Sequence, residues 1–203
     1  MMNCIYKLLS VWIIFFLCMY QSAAQISAGG QPISFGTSFQ KKIKSPLATT
    51  KLPSVDIATA IKEDKASGRD FRFAVPIDVN YNLQNSGTWT LLDDGSRVWQ
   101  LKIHSPKAIG LAVLYQDFFI PEGANLFMYN EDHTEIKGAY TSRNNKTHGK
   151  FLTGLIHSDT AILEYYEPSA VKGQGRIQVY QVMHAYNKEN ISPPSTSREG
   201  GGF

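Results

Sequence analysis

From residue 71 the apolar side chains fall at every second position. Phe71, Phe73, Val75, Ile77 and Val79 alternate with Arg72, Ala74, Pro76 and Asp78, the period of a strand with one face on a core. Pro76 has no backbone N–H to donate, so this strand is expected at an edge or beside a bulge. Thr88 to Leu91 predicts a second strand, and a run with Trp99, Leu101 and Ile103 on one face predicts a third. Asp93, Asp94 and Gly95 lie between them, and Asp-Gly between two such runs is a hairpin signal. Residues 109–119 are apolar on both faces and predict a central, buried strand. Shorter blocks follow at 125–129, 136–141, 150–156, 160–166 and 176–182, separated by turns rich in Pro, Gly, Asn and Asp. About eight or nine short strands, with a turn every ten or so residues, predict an all-β fold, an antiparallel β-sandwich.

Helical spacing occurs once. Ser54 can cap a short N-terminal helix with Ile57, Ala58 and Ile61 on one face and Lys62, Glu63 and Asp64 elsewhere, and Gly68 stops it. Residues 25–53 are rich in Gly, Ser, Thr, Pro and Lys without sustained periodicity, and read as an extended arm or linker. Residues 54–186 form the sandwich. From 187 to 203 the chain is polar, with Pro193-Pro194 and a glycine triplet at 200–202, and reads as a disordered linker tail.

The first residues set the compartment. Lys7 is the only charged side chain before residue 41, and Leu8 to Tyr20 is apolar apart from Ser10. That is the length of a signal-peptide core and too short to span a bilayer. Ser22, Ala23 and Ala24 supply small residues for a signal peptidase, so cleavage is expected between Ala24 and Gln25. The competing reading is an uncleaved anchor helix. Lipidation at Cys18 is disfavoured because Leu17 stands where a small residue is needed. The mature chain is expected to be secreted, periplasmic or extracellular, with no membrane attachment.

Cleavage would leave 179 residues, enough for one domain with a real core. Both cysteines, Cys4 and Cys18, fall in the signal, so packing alone must hold the fold. The formal net charge of +3 drops to +2 with Lys7, and the longest basic cluster spans Lys41 to Lys44. A nucleic-acid partner has little to rest on.

Candidate chemistry is sparse. His104, His133, His148, His157 and His184 show no paired metal-ligand spacing. Four of them lie in or beside turns, and His184 follows the last strand, where packing is the simpler role. No Gly-x-Ser-x-Gly elbow and no phosphate-binding glycine loop occur. Asp93, Asp94 and Asp132 read as solvated turn carboxylates rather than calcium ligands. No catalytic, cofactor or metal residue is therefore assigned. Trp99 shares a face with Leu101 and Ile103 and reads as core. Trp89 is the candidate ligand-facing aromatic, able to stack on a sugar ring, which makes polysaccharide an alternative partner.

Several blocks occur in a telling order. They are Gly29–Phe35 (GGQPISF), Arg72–Val79 (RFAVPIDV), Ser86–Trp89 (SGTW), Val98–Ile103 (VWQLKI), Phe119–Ala124 (FIPEGA), Leu126–Tyr129 (LFMY), Gly138–Thr141 (GAYT), Leu163–Pro168 (LEYYEP) and Val182–Tyr186 (VMHAY). Over residues 25–190 the series resembles the pro-region of lysyl-endopeptidase-like, trypsin-type serine proteases of Bacteroidetes-like bacteria. The resemblance implies a non-catalytic domain that assists folding of a protease and keeps it latent. In such precursors a protease domain with the Ser, His and Asp of a triad follows in cis. Here the sequence stops at Phe203, so no catalytic residue is carried over. The resemblance implies a truncated precursor or a stand-alone pro-domain, with Lys188 as the candidate processing point in the tail. A secreted carbohydrate- or surface-binding sandwich is the alternative.

Overall fold

Backbone pairing follows the period-two blocks closely. The computed structural model describes residues 27–191 apart from Lys44 and Asp70. The expected cleavage between Ala24 and Gln25, and the tail from residue 192, lie outside the described residues. The described residues form ten strands: β1 (Thr49–Lys51), β2 (Ala74–Asn82), β3 (Thr88–Leu91), β4 (Arg97–His104), β5 (Gly110–Phe119), β6 (Asn125–Tyr129), β7 (Ile136–Tyr140), β8 (Phe151–Leu152), β9 (Thr160–Glu167) and β10 (Arg176–Ala185). They form two sheets. The first runs β1-β4-β9-β6-β7, with β3 also paired to β4, and the second runs β2-β10-β5-β8. Every pair is antiparallel except β1 with β4. The far edge of β4 is shared end to end: β3 pairs with Arg97 to Gln100 and β1 with Lys102 to His104.

The fold is an all-β sandwich. Its inner faces meet in one cluster, with Trp99, Leu101 and Ile103 of β4, Leu126 and Met128 of β6, and Leu163 and Tyr165 of β9 on one side. Leu111, Val113 and Tyr115 of β5 and Val179 and Val182 of β10 close it from the other. Pro76 lies, as its chemistry requires, on the edge strand β2. β5 is an interior strand between β10 and β8. The chain crosses from β2 to β3 over the Trp99 ring, whose Nε1–H donates to the Ser86 carbonyl at 2.7 Å. Gly87 makes that crossing with φ of +72°, and a Cβ there would sit 2.5 Å from the Gln100 carbonyl and 2.6 Å from the indole nitrogen. Only glycine fits so close an approach in that conformation.

Four details differ from the sequence reading. β2 begins at Ala74, so the alternation at Phe71 and Phe73 runs on past any strand partner, and these rings are 77% and 38% exposed. The 150–156 block shrinks to the two residues of β8, with Ile156 making an isolated bridge to Leu111. The long helix, α2 (Ile57–Ser67), is capped by Asp56, not Ser54: its carboxylate accepts from the Thr59 N–H at 3.1 Å. The face of α2 that is buried carries Ala60 and Asp64, while Ile61 is exposed.

The fourth difference is the 25–53 segment. Its described residues are folded onto the first sheet, not extended as an arm. They contain a one-turn helix, α1 (Thr37–Gln40), with Phe39 buried, and then β1. Ser27 to Gly29 runs beside β7: Ala28 N–H donates to Ala139 O at 3.0 Å, and Ala139 N–H to Gly29 O at 3.2 Å. Phe35 packs edge-on against Tyr129 and stacks on His133. Ser34 supplies the reason for this cover. Glu164 of β9 is fully buried on the outer face, and accepts from Ser34 N–H at 3.1 Å, Tyr129 O–H at 2.8 Å and Gln100 Nε2 at 3.2 Å. A buried carboxylate needs donors in place of water, and the N-terminal segment delivers one of them. Burial, and then the Glu164 charge, push the Tyr129 phenol well above its ordinary range, so it stays a donor.

Candidate functional site

The five histidines are dispersed. His104, the last residue of β4, has Nδ1 3.0 Å from Thr160 Oγ1. His133 is exposed and stacks on Phe35, His148 Nδ1 accepts from Lys150 N–H at 2.9 Å, and His157 meets Glu135 at 3.1 Å. Among the described residues no group of three or more His, Cys, Asp or Glu is placed to hold a metal ion. Asp93 pairs with Lys42 at 2.5 Å, and Asp94 accepts from the Ser96 N–H and hydroxyl. These turn carboxylates are occupied locally.

One pair has the look of chemistry. Ser105 Oγ lies 2.8 Å from His184 Nδ1. Catalysis would need a substrate path and a group to orient the base. Both residues have no solvent exposure, and His184 Nε2 has no hydrogen-bond partner among the described residues. The pair is a lock between the β4–β5 turn and β10.

Burial holds the His184 pKa below its ordinary value. The unfolded chain therefore takes up a proton first as the pH falls. Stability is fully present above about pH 6.5 and is lost as the pH falls through the folded-state value. Melting curves from pH 8 to 5 are expected to fall more steeply for the native chain than for His184→Gln. Parallel slopes would refute this.

Trp89 occupies a different setting from the one expected. It faces Trp99 across the β3–β4 pair and packs on the main core. Its Nε1–H donates to Leu83 O at 2.9 Å, and Tyr165 meets it edge-on. The Arg97 guanidinium lies 3.8 Å from its ring centroid, so a face that a sugar would need is already covered. What remains beside it is a groove of about 610 Å³ between Lys41, Ile43, Pro46 and Leu47 on one side and β3 on the other.

No protein-family model matches the chain. The remaining predicted position, Lys188, lies where the chain leaves the sandwich. β10 ends at Ala185, and Tyr186, 7% exposed, is the last buried residue among those described. Two segments clamp it, α2 and the Arg72–Phe73 stretch. Asp64 of α2 accepts from the Tyr186 hydroxyl, and its other oxygen pairs with Arg72 at 3.0 Å. The Tyr186 N–H donates to Phe73 O at 3.0 Å. Burial and the bond to Asp64 push the phenol up to about 12, which keeps it a donor at ordinary pH. Nothing in the local sequence announces this clamp, because its members come from positions 64, 72 and 186.

Two residues past the clamp the character changes. Lys188–Asn190 is a single exposed turn, held by Asn187 Oδ1 accepting from Glu189 N–H at 3.1 Å. Lys188 is exposed. Two other lysines lie on strands: Lys102 of β4 is paired to Glu131, and Lys137 of β7 to Glu135 at 3.0 Å. No helix of the described residues is long and apolar enough to cross a membrane.

Proposed function

We propose that this chain is the non-catalytic pro-region of a secreted, lysyl-endopeptidase-like serine protease, which assists folding of the catalytic domain and holds it latent. Its partner is that protease domain, normally joined in cis. The observation that carries the reading is the position of Lys188, an exposed lysine on a one-turn element just beyond the Asp64–Arg72–Tyr186 clamp. The ordered sequence blocks from residue 29 to 186 point the same way. A lysine-specific enzyme has a pocket for a long ammonium side chain, and an exposed turn is where a chain is nicked. Among the described residues a cut there removes no strand and no clamp residue, so the body outlives it.

Limited digestion with a lysine-specific endopeptidase, read by mass spectrometry, tests the placement. Cleavage after Lys188 is expected well before Lys102 or Lys137, with an unchanged melting temperature for the trimmed body. Early cuts at the two strand lysines would overturn it. Function is tested by adding the chain in trans to such a protease, both native and during refolding from denaturant. Slowed turnover or a raised refolding yield is expected, and the absence of both effects would refute the reading.

A further inference from the structure

The outer face of the second sheet is open, and its composition is unusual. β2 and β10 lie side by side, with Asp78 opposite Gln181 and Asn82 opposite Gln178. The opposite face of β2, with Ile77, Val79 and Tyr81, packs on the core. Side chains alternate along a strand, so Asp78, Asn80 and Asn82 share the outer face with Gln178 and Gln181. Asp78 and Asn80 are exposed. Between the two glutamines the pairing of β10 is irregular against both neighbours, with a shift between Val179 and Gln181 on each side. Tyr180 stands at that irregularity, next to the inward-facing Val179, partly buried and outside the core cluster.

We infer that this face is a binding site for a neutral polysaccharide, a site independent of the pro-region reading. Three observations carry it. First, the side chains already fix one another: Gln178 Nε2 donates to Asn80 Oδ1 at 2.7 Å, Asn82 Nδ2 to Gln178 Oε1 at 3.2 Å, and Gln181 Nε2 to Asp78 Oδ1 at 2.8 Å. Little rotamer freedom is left to lose on binding. Second, these bonds use only part of each group's capacity. Among the described residues the Asn80 amide N–H groups, the Gln181 carbonyl oxygen and the second Asp78 oxygen have no protein partner. Amides and a carboxylate side by side offer a donor next to an acceptor, which is what vicinal hydroxyls demand. Third, a tyrosine stands among them, and an aromatic ring among polar groups suits the mixed polar and apolar faces of a pyranose.

The charge balance selects the occupant. Asp78 is the one charged residue in this group, and the nearby Arg176 is paired to Asp117 at 3.0 Å. Among the described residues an anionic polymer finds no unpaired cation in this group, and a protein partner would ask for apolar anchors. Rungs on one face repeat at about 7 Å along the strand pair, so an extended glycan can meet several at once.

Affinity electrophoresis of the purified chain in gels containing laminarin, hydroxyethyl cellulose, galactomannan or xylan tests this. Retarded migration is expected with at least one, and Asn80→Ala, Gln178→Ala and Tyr180→Ala should each weaken it at least fivefold. Thermal melts establish that these variants are folded, and Trp89→Phe should bind as the native chain does. No retardation on any of the four would overturn the proposal. So would retardation that survives all three face variants, or that Trp89→Phe alone abolishes. Binding confined to an anionic polymer and lost in salt would overturn it as well. None of these results bears on cleavage at Lys188 or on action against a protease.

Discussion

Replacing Trp99 by alanine is expected to cost about 3–5 kcal/mol, the range for removing a large buried aromatic. Trp99 has no solvent exposure and lies within the main cluster. Its strand cannot move in to fill the void, because β4 is paired along both edges, to β9 on one and to β3 and β1 on the other. The Ser86 carbonyl would also lose its donor. A domain of this size shifts its melting temperature by about 2–4 °C per kcal/mol, so a fall of roughly 10 °C is expected. Trp99→Phe keeps most of the packing but not the hydrogen bond, and should cost less. Calorimetry or urea unfolding measures both. A melting curve for the alanine variant that overlays the native one would mean the ring is not in the core.

That prediction rests on a residue whose place was legible in the sequence, and the reason is general to this fold. Period two identifies which face of a strand is wet, and Trp99, Leu101 and Ile103 obey it. Pro76 at an edge and residues 109–119 in the interior follow from equally local chemistry. Failures occur where the deciding partner is distant. β1 is three residues long and exists because the edge of β4 beyond β3 is vacant. The N-terminal segment looks like a linker, yet Ser34 answers a buried carboxylate 130 positions further on. Asp64 reads as a wet helix position, but Tyr186 and Arg72 turn its side of α2 inward. Phe71 and Phe73 continue the alternation where no neighbouring strand remains to use it. For the candidate site, Lys188 was legible as a lysine in a polar stretch, whereas the clamp that makes a cut there harmless was not. Trp89 was read as facing a ligand, whereas it packs on the core, and no sequence pattern places Arg97 over its ring.

Arg97 is the centre of the second large effect. In β4–β9 register it stands directly opposite Glu167, which is fully buried. Its Nε donates to one carboxylate oxygen at 2.5 Å, while Tyr165 O–H donates to the other at 3.2 Å. The same guanidinium lies flat enough over Trp89 to approach its centroid at 3.8 Å. Arg97→Met keeps an unbranched apolar stem of similar reach but leaves the carboxylate in the fold with one phenol for company. Breaking a buried pair from one side costs about 3–5 kcal/mol, because the surviving charge is uncompensated. Glu167→Gln should cost less, since the amide still accepts from Arg97, and that guanidinium retains 23% exposure and can reach water. The double variant Arg97→Met, Glu167→Leu removes both charges and should recover much of the loss, as buried pairs replaced by apolar groups often do. Urea unfolding of the four chains at pH 7 closes the cycle. The expected order of stability places Arg97→Met last, below the double variant. If Arg97→Met instead loses less than about 1 kcal/mol, the pair behaves as an exposed one, and Glu167 is reached by water that its burial denies.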